Sequence, residues 1–232
     1  MVAHNLGIEN SLTAFTHAFE LGYRYFETDV RATKDGVPVA CHDERLDRLA
    51  GDAKAIRDVH SSELEHLSLG GKDQIVPLET LLEAFPDVHF NIDIKSNDAV
   101  TPTIQIVRER ELVSRVCLAA FDHTRLVQVR AIAPEMLTSA STRETGLMVS
   151  GFSVPKSPRV FQVPVRYRGV PVVTPRFIAK AHRYGKHVHV WTIDDPQEMH
   201  RLLDMGVDGV MTDRTDLLKD VLIERGQWKE PS

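Results

Sequence analysis

Glu27 and Asp29 stand two residues apart in the run Arg24–Val30, and Asp93 and Lys95 stand two apart in Asn91–Lys95. Residues two apart on a strand point to one face, so each run aims two charged groups together. Two carboxylates packed without a cation repel, and one tends to keep a proton. A hard divalent cation removes that conflict, because it takes oxygen ligands readily. Asp93 beside Lys95 suits a metal ligand next to a phosphate-binding ammonium, or an ion pair that caps a strand end. His4 and His42 add two imidazoles, whose ordinary pKa of about 6.5 lets them give or take a proton at neutral pH.

The elements that would position these groups can be read from the surrounding chain. Arg24–Val30 and Val37–Cys41 lie too close for a parallel crossover, which takes roughly a dozen residues or more. They predict an antiparallel hairpin, with Asp35-Gly36 as a two-residue turn. Lys34 then faces Val37 and Asp29 faces His42, so Glu27, Asp29 and His42 share one surface. In this register Cys41 points the other way and packs. Asp43 points away too and fixes the loop. Arg31 shares the face of Asp29.

The remaining apolar runs are Val2–His4, Val88–Ile94, Val116–Phe121, Met136–Ser141, Val160–Val165, His187–Thr192 and Gly209–Thr212. They are mostly continuous rather than alternating, as strands covered on both faces are. Helix signals fall between them. Leu12, Phe15, Ala18 and Phe19 share a helical face. Thr101-Pro102, Thr174-Pro175 and Asp195-Pro196 each set a capping residue before a proline. Gly185 and Gly206 sit where a helix ends. The repeat predicts βα units in one (β/α)8 TIM barrel, with an open doubly wound sheet as the alternative. A hairpin follows the second strand, and residues 48–77 form a short loop excursion with a helix over Ser61–Leu67. One domain spans residues 1–232. Barrel active sites lie at the carboxyl ends of the strands, where His4, Glu27, Asp29, Asp93 and Lys95 all fall.

The chain has 232 residues, 42% hydrophobic and 26% charged, which argues against disorder. A formal net charge of −5 argues against a nucleic-acid partner and means that an anionic ligand needs a locally positive site. Two cysteines make no disulfide framework and fit a reducing compartment. With no leader signature and no apolar run of about 18 residues, the expectation is a cytoplasmic protein without a transmembrane segment.

Taken in order, these residues resemble the glycerophosphodiester phosphodiesterase family. The matching motifs are His4, Glu9-Asn10-Ser11, Glu27-Thr28-Asp29-Val30, Asp35-Gly36, His42-Asp43 and Leu46-Asp47-Arg48. Asn91-Ile92-Asp93-Ile94-Lys95, Val190-Trp191-Thr192 and Gly209-Val210-Met211-Thr212-Asp213 continue the match. The resemblance implies a barrel that hydrolyses glycerophosphodiesters to sn-glycerol 3-phosphate and an alcohol. It implies His4 and His42 as the general acid/base pair. Glu27, Asp29 and Asp93 would bind Mg²⁺ or Ca²⁺, Lys95 would contact the phosphate, and Trp191 would line the pocket.

One departure stands out. The family's His-Arg-Gly is here His4-Asn5-Leu6, and only four residues separate His4 from Glu9. Either the loop that carries a phosphate-holding Arg is lost, or a stretch is left out between His4 and Asn5. Residues 5–10 read like the tail of a longer loop, which favours the second. A true loss would make a non-catalytic phosphodiester-binding barrel the alternative. Two enzymatic rivals are a sugar-phosphate isomerase on the same barrel and a lysophospholipase D-like enzyme, which needs an exposed apolar rim.

Overall fold

The computed structural model describes residues 7–229. Eight strands frame the site: β1 (Tyr25–Ala32), β2 (Pro38–Ala40), β3 (His89–Ile94), β4 (Val116–Ala119), β5 (Leu137–Thr138), β6 (Val160–Pro164), β7 (His187–Trp191) and β8 (Gly209–Val210). One sheet runs in the order β2-β1-β3-β4-β5 and another in the order β8-β7-β6. A parallel bridge from Ser139 to Val160 joins them. Seven parallel staves therefore follow one another in chain order. A doubly wound sheet would reverse its order part-way, so this is barrel topology. The expected first strand, Val2–His4, lies outside the described residues.

Helices cover the staves, apart from α2, which lies in the segment after β2: α1 (Leu12–Glu20), α2 (Asp47–Ala50), α3 (Leu78–Ala84), α4 (Val100–Glu109), α5 (His123–Ile132), α6 (Thr142–Val149), α7 (Pro175–Arg183), α8 (Pro196–Asp204) and α9 (Thr215–Glu224). The caps explain most of their starts. Thr174 Oγ1 accepts from the Phe177 amide, and Asp195 Oδ1 accepts from the Gln197 amide, each before a proline. At α4 the expectation fails, because Ala99 is the N-cap and Pro102 falls inside the first turn. A proline is tolerated there, since the first amides of a helix have no intrahelical partner. Leu12 also departs from its expected buried face and is exposed, whereas Phe15 and Ala18 are buried. Gly185 and Gly206 end their helices at φ +63° and +88°.

The outward faces of the staves meet the helices in two large apolar layers. Val30, Ile92, Ile94 and Leu118 join Phe15, Leu81 and Ile104 in one. Phe161, Val163, Val188 and Val190 join Phe177, Met199 and Leu202 in the other. The helix ring is tied across its ends, where Tyr23 Oη donates to Thr215 O at 2.7 Å and Lys219 Nζ donates to Leu21 O at 2.8 Å.

The segment after β2 is the expected excursion. It holds α2, two 3₁₀ turns (Ile56–Asp58 and Ser61–His66) and a small ribbon of Ser68–Leu69 with Asp73–Gln74. The predicted helix at Ser61–Leu67 is thus 3₁₀ and ends at His66. A small core of its own, including Val39, Cys41, Leu46, Ile56 and Leu69, holds this segment together. Among the described residues, no helix is long and apolar enough to cross a membrane.

Candidate active site

β1 and β3 pair in parallel with Glu27 opposite Asn91 and Asp29 opposite Asp93. Ile92 and Ile94 are fully buried in the outer layer, so Asn91, Asp93 and Lys95 turn inward. Strand periodicity thus delivers the two acids to one spot. Lys95 Nζ lies 2.9 Å from Asp29 Oδ1 and 2.6 Å from Asp93 Oδ2. Asp29 Oδ2 accepts from Asn10 Nδ2 at 3.0 Å. Asn10 Oδ1 accepts from Thr28 Oγ1 and from the Asp29 amide. Asn10 sits at φ +58°, a left-handed conformation that asparagine adopts more readily than most residues.

The two acids titrate in opposite directions. Burial pushes Asp29 up, but the Lys95 ammonium and the hydrogen bonds from Lys95 and Asn10 outweigh it and hold the carboxyl below its ordinary range. Burial dominates at Asp93 and raises it, despite Lys95, with the charge of Asp29 adding to the rise. Burial alone would lower Lys95; Asp93 and Asp29 reverse that and hold the ammonium charged. Asp93 Oδ1 is buried and has no hydrogen-bond partner.

His42 reaches the site by a route other than the predicted one. The hairpin pairs Val30 with Ala40, Arg31 with Val39 and Ala32 with Pro38. The Cys41 amide then donates to Asp29 O, so Cys41, not His42, stands opposite Asp29. The turn has three residues rather than two: Lys34, Asp35 and Gly36, with Gly36 at φ +84°. That is the type I turn followed by a left-handed residue, the next commonest hairpin loop. β2 stops at Ala40 and the chain bends at His42, which carries the imidazole back over the cavity. Arg31 Nε donates to His42 O at 2.9 Å and holds the bend. Cys41 is a packing residue as expected, although the side of the strand was misread. Burial pushes its thiol up to about 12.

Asp43 has a larger part than fixing a loop. His42 Nδ1 lies 2.8 Å from Asp43 Oδ1, and Arg48 Nε donates to Asp43 Oδ2 at 2.5 Å. Arg48 also pairs with Glu9. Burial pushes Asp43 up, but Arg48 and His42 reverse this and keep it ionised. Among the described residues, Glu9, His42 and Asp43 form the trio whose ligand atoms all lie within 4.8 Å of one another. Glu27, Asp29 and Asp93 share a face and a cavity but are not drawn that close together.

Glu27, Asp29, His42, Asp93, Lys95 and Trp191 all line one cavity of about 580 Å³. His4 lies outside the described residues, as does the chain on either side of the short loop's start. Trp191 packs edge-on against Phe121 with ring centroids 5.5 Å apart, and Lys95 Nζ sits 5.2 Å from the Phe121 centroid. Asn91, Gln162, Phe121 and Arg168 also line the cavity and were not singled out from the sequence. Gln162 Nε2 donates to Asn91 Oδ1 at 2.6 Å across the lumen. An inward polar residue on each of two strands was the available signal.

His182 and His187 both meet Asp208, while His189 is half-buried on the strand face opposite Val188 and Val190, where desolvation lowers it to about 4.

Residues 3–217 match the glycerophosphoryl diester phosphodiesterase family. A Mycobacterium tuberculosis relative named "Probable glycerophosphodiester phosphodiesterase 2" is 42% identical over 233 residues, covering 94% of this chain and 87% of its own. A solved glycerophosphodiester phosphodiesterase from Thermotoga maritima is 29% identical, with a TM-score of 0.75 over 93% of this chain and 92% of its own. An Oleispira antarctica phosphodiesterase, solved with the product sn-glycerol-3-phosphate, shares the fold at 18% identity. Its TM-score is 0.79 over 95% of this chain and 93% of its own.

Proposed function

The chain belongs to the glycerophosphoryl diester phosphodiesterase family, and from that premise we propose that its cavity hydrolyses glycerophosphodiesters to sn-glycerol 3-phosphate and an alcohol. One observation carries the reading. Asp29 and Asp93 are register partners joined by Lys95, and His42 stands at the same cavity.

The phosphodiester carries one negative charge, and more gathers on its non-bridging oxygens as phosphorus becomes five-coordinate. The Lys95 ammonium supplies a positive point charge for them. His42 spends Nδ1 on Asp43, which leaves Nε2 as the nitrogen that exchanges a proton with a bridging oxygen. Asp43 sets the imidazole's orientation, and Arg48 anchors Asp43. The second proton-transfer role falls to His4 by the family resemblance. One imidazole must be neutral to take a proton and the other protonated to give one. Trp191 and Phe121 wall the pocket beside Lys95.

A divalent cation, Mg²⁺ or Ca²⁺, fits the donor set of Glu27, Asp29 and Asp93. All three offer carboxylate oxygens, which hard cations prefer. Asp93 Oδ1 is a buried acceptor without a hydrogen-bond partner, the feature expected of a ligand atom. When bound there, such a cation supplies Lewis-acid stabilisation of charge on phosphate oxygens. A cytoplasmic location is part of the same reading, in keeping with two unpaired cysteines.

The test is release of glycerol 3-phosphate from a soluble glycerophosphodiester, followed by a coupled assay. Turnover should vanish with EDTA and return with Mg²⁺ or Ca²⁺. Calorimetric titration of Ca²⁺ should show binding that Asp93→Asn weakens by at least tenfold. No phosphomonoester from any glycerophosphodiester, with either metal, rejects the reading and favours a binding barrel.

A further inference from the structure

Two consecutive residues, Glu9 and Asn10, support different wings of the site. The buried Asn10 side chain makes three hydrogen bonds, all to β1. Its Oδ1 accepts from Thr28 Oγ1 at 2.8 Å and from the Asp29 amide at 3.2 Å, and its Nδ2 donates to Asp29 Oδ2 at 3.0 Å. Glu9 meets Arg48 at two points, Nη1 on Oε2 and Nη2 on Oε1. The Nε of the same guanidinium donates to Asp43 Oδ2, and Asp43 Oδ1 lies 2.8 Å from His42 Nδ1. One planar fork thus joins two carboxylates at a fixed angle, which a single ammonium cannot do.

His42 is the group that gains most from such a support. β2 ends at Ala40, two residues before it, so no strand ladder holds the imidazole, and its side chain is 52% exposed. Arg31 fixes the main chain through His42 O, which leaves the ring free to turn. Asp29, by contrast, stands inside β1 and is buried. A reacting group misplaced by about 1 Å can cost about 10²-fold in rate, so the spacing between a bend and a strand matters here.

The turn that carries Glu9 and Asn10 is itself held. The Ser11 amide donates to Ile8 O at 3.1 Å, and Ser11 Oγ caps α1 by accepting from the Ala14 amide at 3.2 Å. The segment after β2, which supplies Arg48, grips the same turn. Ile8 packs against its apolar core, and a Cβ at Gly70 would come within 2.6 Å of Ile8 Cδ1. Thr13 Oγ1 donates to Asp73 Oδ1 at 2.5 Å.

We infer that Glu9, Asn10 and Arg48 are positioning residues, with Asn10 acting through Asp29 on the cation site and Glu9 acting through Arg48 and Asp43 on the His42 imidazole. None of the three lines the cavity. The inference rests on the phosphodiesterase reading of that cavity and adds to it the residues that set its two wings. It also gives the segment after β2 a task, which is to clamp the turn from which both supports extend.

The experiment measures two quantities on each variant: kcat for a short glycerophosphodiester, and Ca²⁺ affinity by calorimetry. Glu9→Gln keeps the side chain's shape and removes its charge. Asn10→Gly removes the side chain and keeps the left-handed backbone accessible. Loss of a partner that orients a ligand or a reacting group costs about 10–100-fold. Glu9→Gln should therefore lower kcat about tenfold and leave Ca²⁺ affinity within about twofold. Arg48→Lys should lose as much, and Glu9→Gln should cost nothing further in an Asp43→Asn background. Asn10→Gly should weaken Ca²⁺ about tenfold, and the turnover it loses should return as Ca²⁺ is raised, which the turnover lost by Glu9→Gln does not. A general loss of structure would move both quantities together in both variants, and that result overturns the inference. So does a Glu9→Gln loss that adds to that of Asp43→Asn, or a kcat for Glu9→Gln within about twofold of an active parent; the phosphodiesterase reading then stands. Unchanged Ca²⁺ affinity in Asn10→Gly, or no Ca²⁺ binding to the parent, overturns the part given to Asn10. A parent that releases no glycerol 3-phosphate with any metal overturns the phosphodiesterase reading, and the inference falls with it.

Discussion

Asp29 and Asp93 face each other across neighbouring parallel strands, and one ammonium, Lys95 Nζ, lies 2.9 Å from the first acid and 2.6 Å from the second. The three side chains carry a net charge of one negative in a mostly buried place. Asp29 is held ionised while burial pulls Asp93 towards its protonated form. This asymmetry is set by contacts: Asn10 serves Asp29, while one oxygen of Asp93 has no hydrogen bond.

Lys95→Met should lower kcat/KM by about 10²-fold and, in the metal-free protein, cost about 2–4 kcal/mol of stability. It leaves two buried acids without their shared cation, and breaking such a pair is expensive. Lys95→Arg should not rescue activity, because a planar fork does not replace a point charge between two acids. Urea unfolding and steady-state kinetics are the measurements. A Met variant within threefold of the parent in kcat/KM would remove Lys95 from the phosphate site.

His42→Ala should reduce turnover by about 10²–10⁴-fold, the span ascribed to a lost general acid or base. The affinity for glycerol 3-phosphate should change by only a few fold, because the proposed role of the imidazole is to move protons and not to hold phosphate. Product titration separates the two. Near-parental turnover would reject the assignment.

Asp43→Asn should cost about 10–100-fold in kcat with KM nearly unchanged. Asn retains the shape but alters the hydrogen bond that orients His42 at 2.8 Å. Added to His42→Ala, it should cost nothing further, because a positioning residue has then lost the group it positions. Additive losses in the double variant would give Asp43 a separate role.

His189 should make stability depend on pH. Burial holds its pKa at about 4 against an ordinary 6.5, with Asp208 opposing and His187 assisting. The unfolded chain therefore binds the proton first. The contribution is fully present above the unfolded value of 6.5 and is lost as pH falls to about 4, below which it is flat. Its size is up to about 3 kcal/mol. Chemical denaturation across that window should show the decline, and His189→Gln should flatten it. Equal slopes in both proteins would assign the decline to other groups. Gly209 belongs to the same feature, because a Cβ there would come within 2.8 Å of the His189 ring.

Much of the barrel is legible from apolar runs and caps. Every expected stave inside the described residues is present, although several are shorter at their ends. The Met136–Ser141 run yields Leu137–Thr138, and Gly209–Thr212 yields Gly209–Val210. The caps at Thr174 and Asp195 hold, since a capping side chain bonds to amides two or three residues away and needs nothing distant. Pro102 misleads because a proline marks the first turn of a helix without marking its first residue.

Strand alternation and residue type, which are local properties, were enough to set Glu27, Asp29, Asp93 and Lys95 on inward faces at strand ends and to mark the family. Tertiary packing alone decided three matters. The three-residue turn shifted the hairpin by one position, and a bend beyond β2 then returned His42 to the cavity. The bridging of two acids by Lys95 depended on the pairing of β1 with β3, strands some sixty residues apart in the chain. Val149 of α6 and Tyr167 and Val170 of the ribbon of Arg166–Tyr167 with Val170–Pro171 came to line the same cavity as the acids. A period of two is written into each strand, whereas the conformation of a loop and the neighbours of a cavity wall are settled by which surfaces pack together.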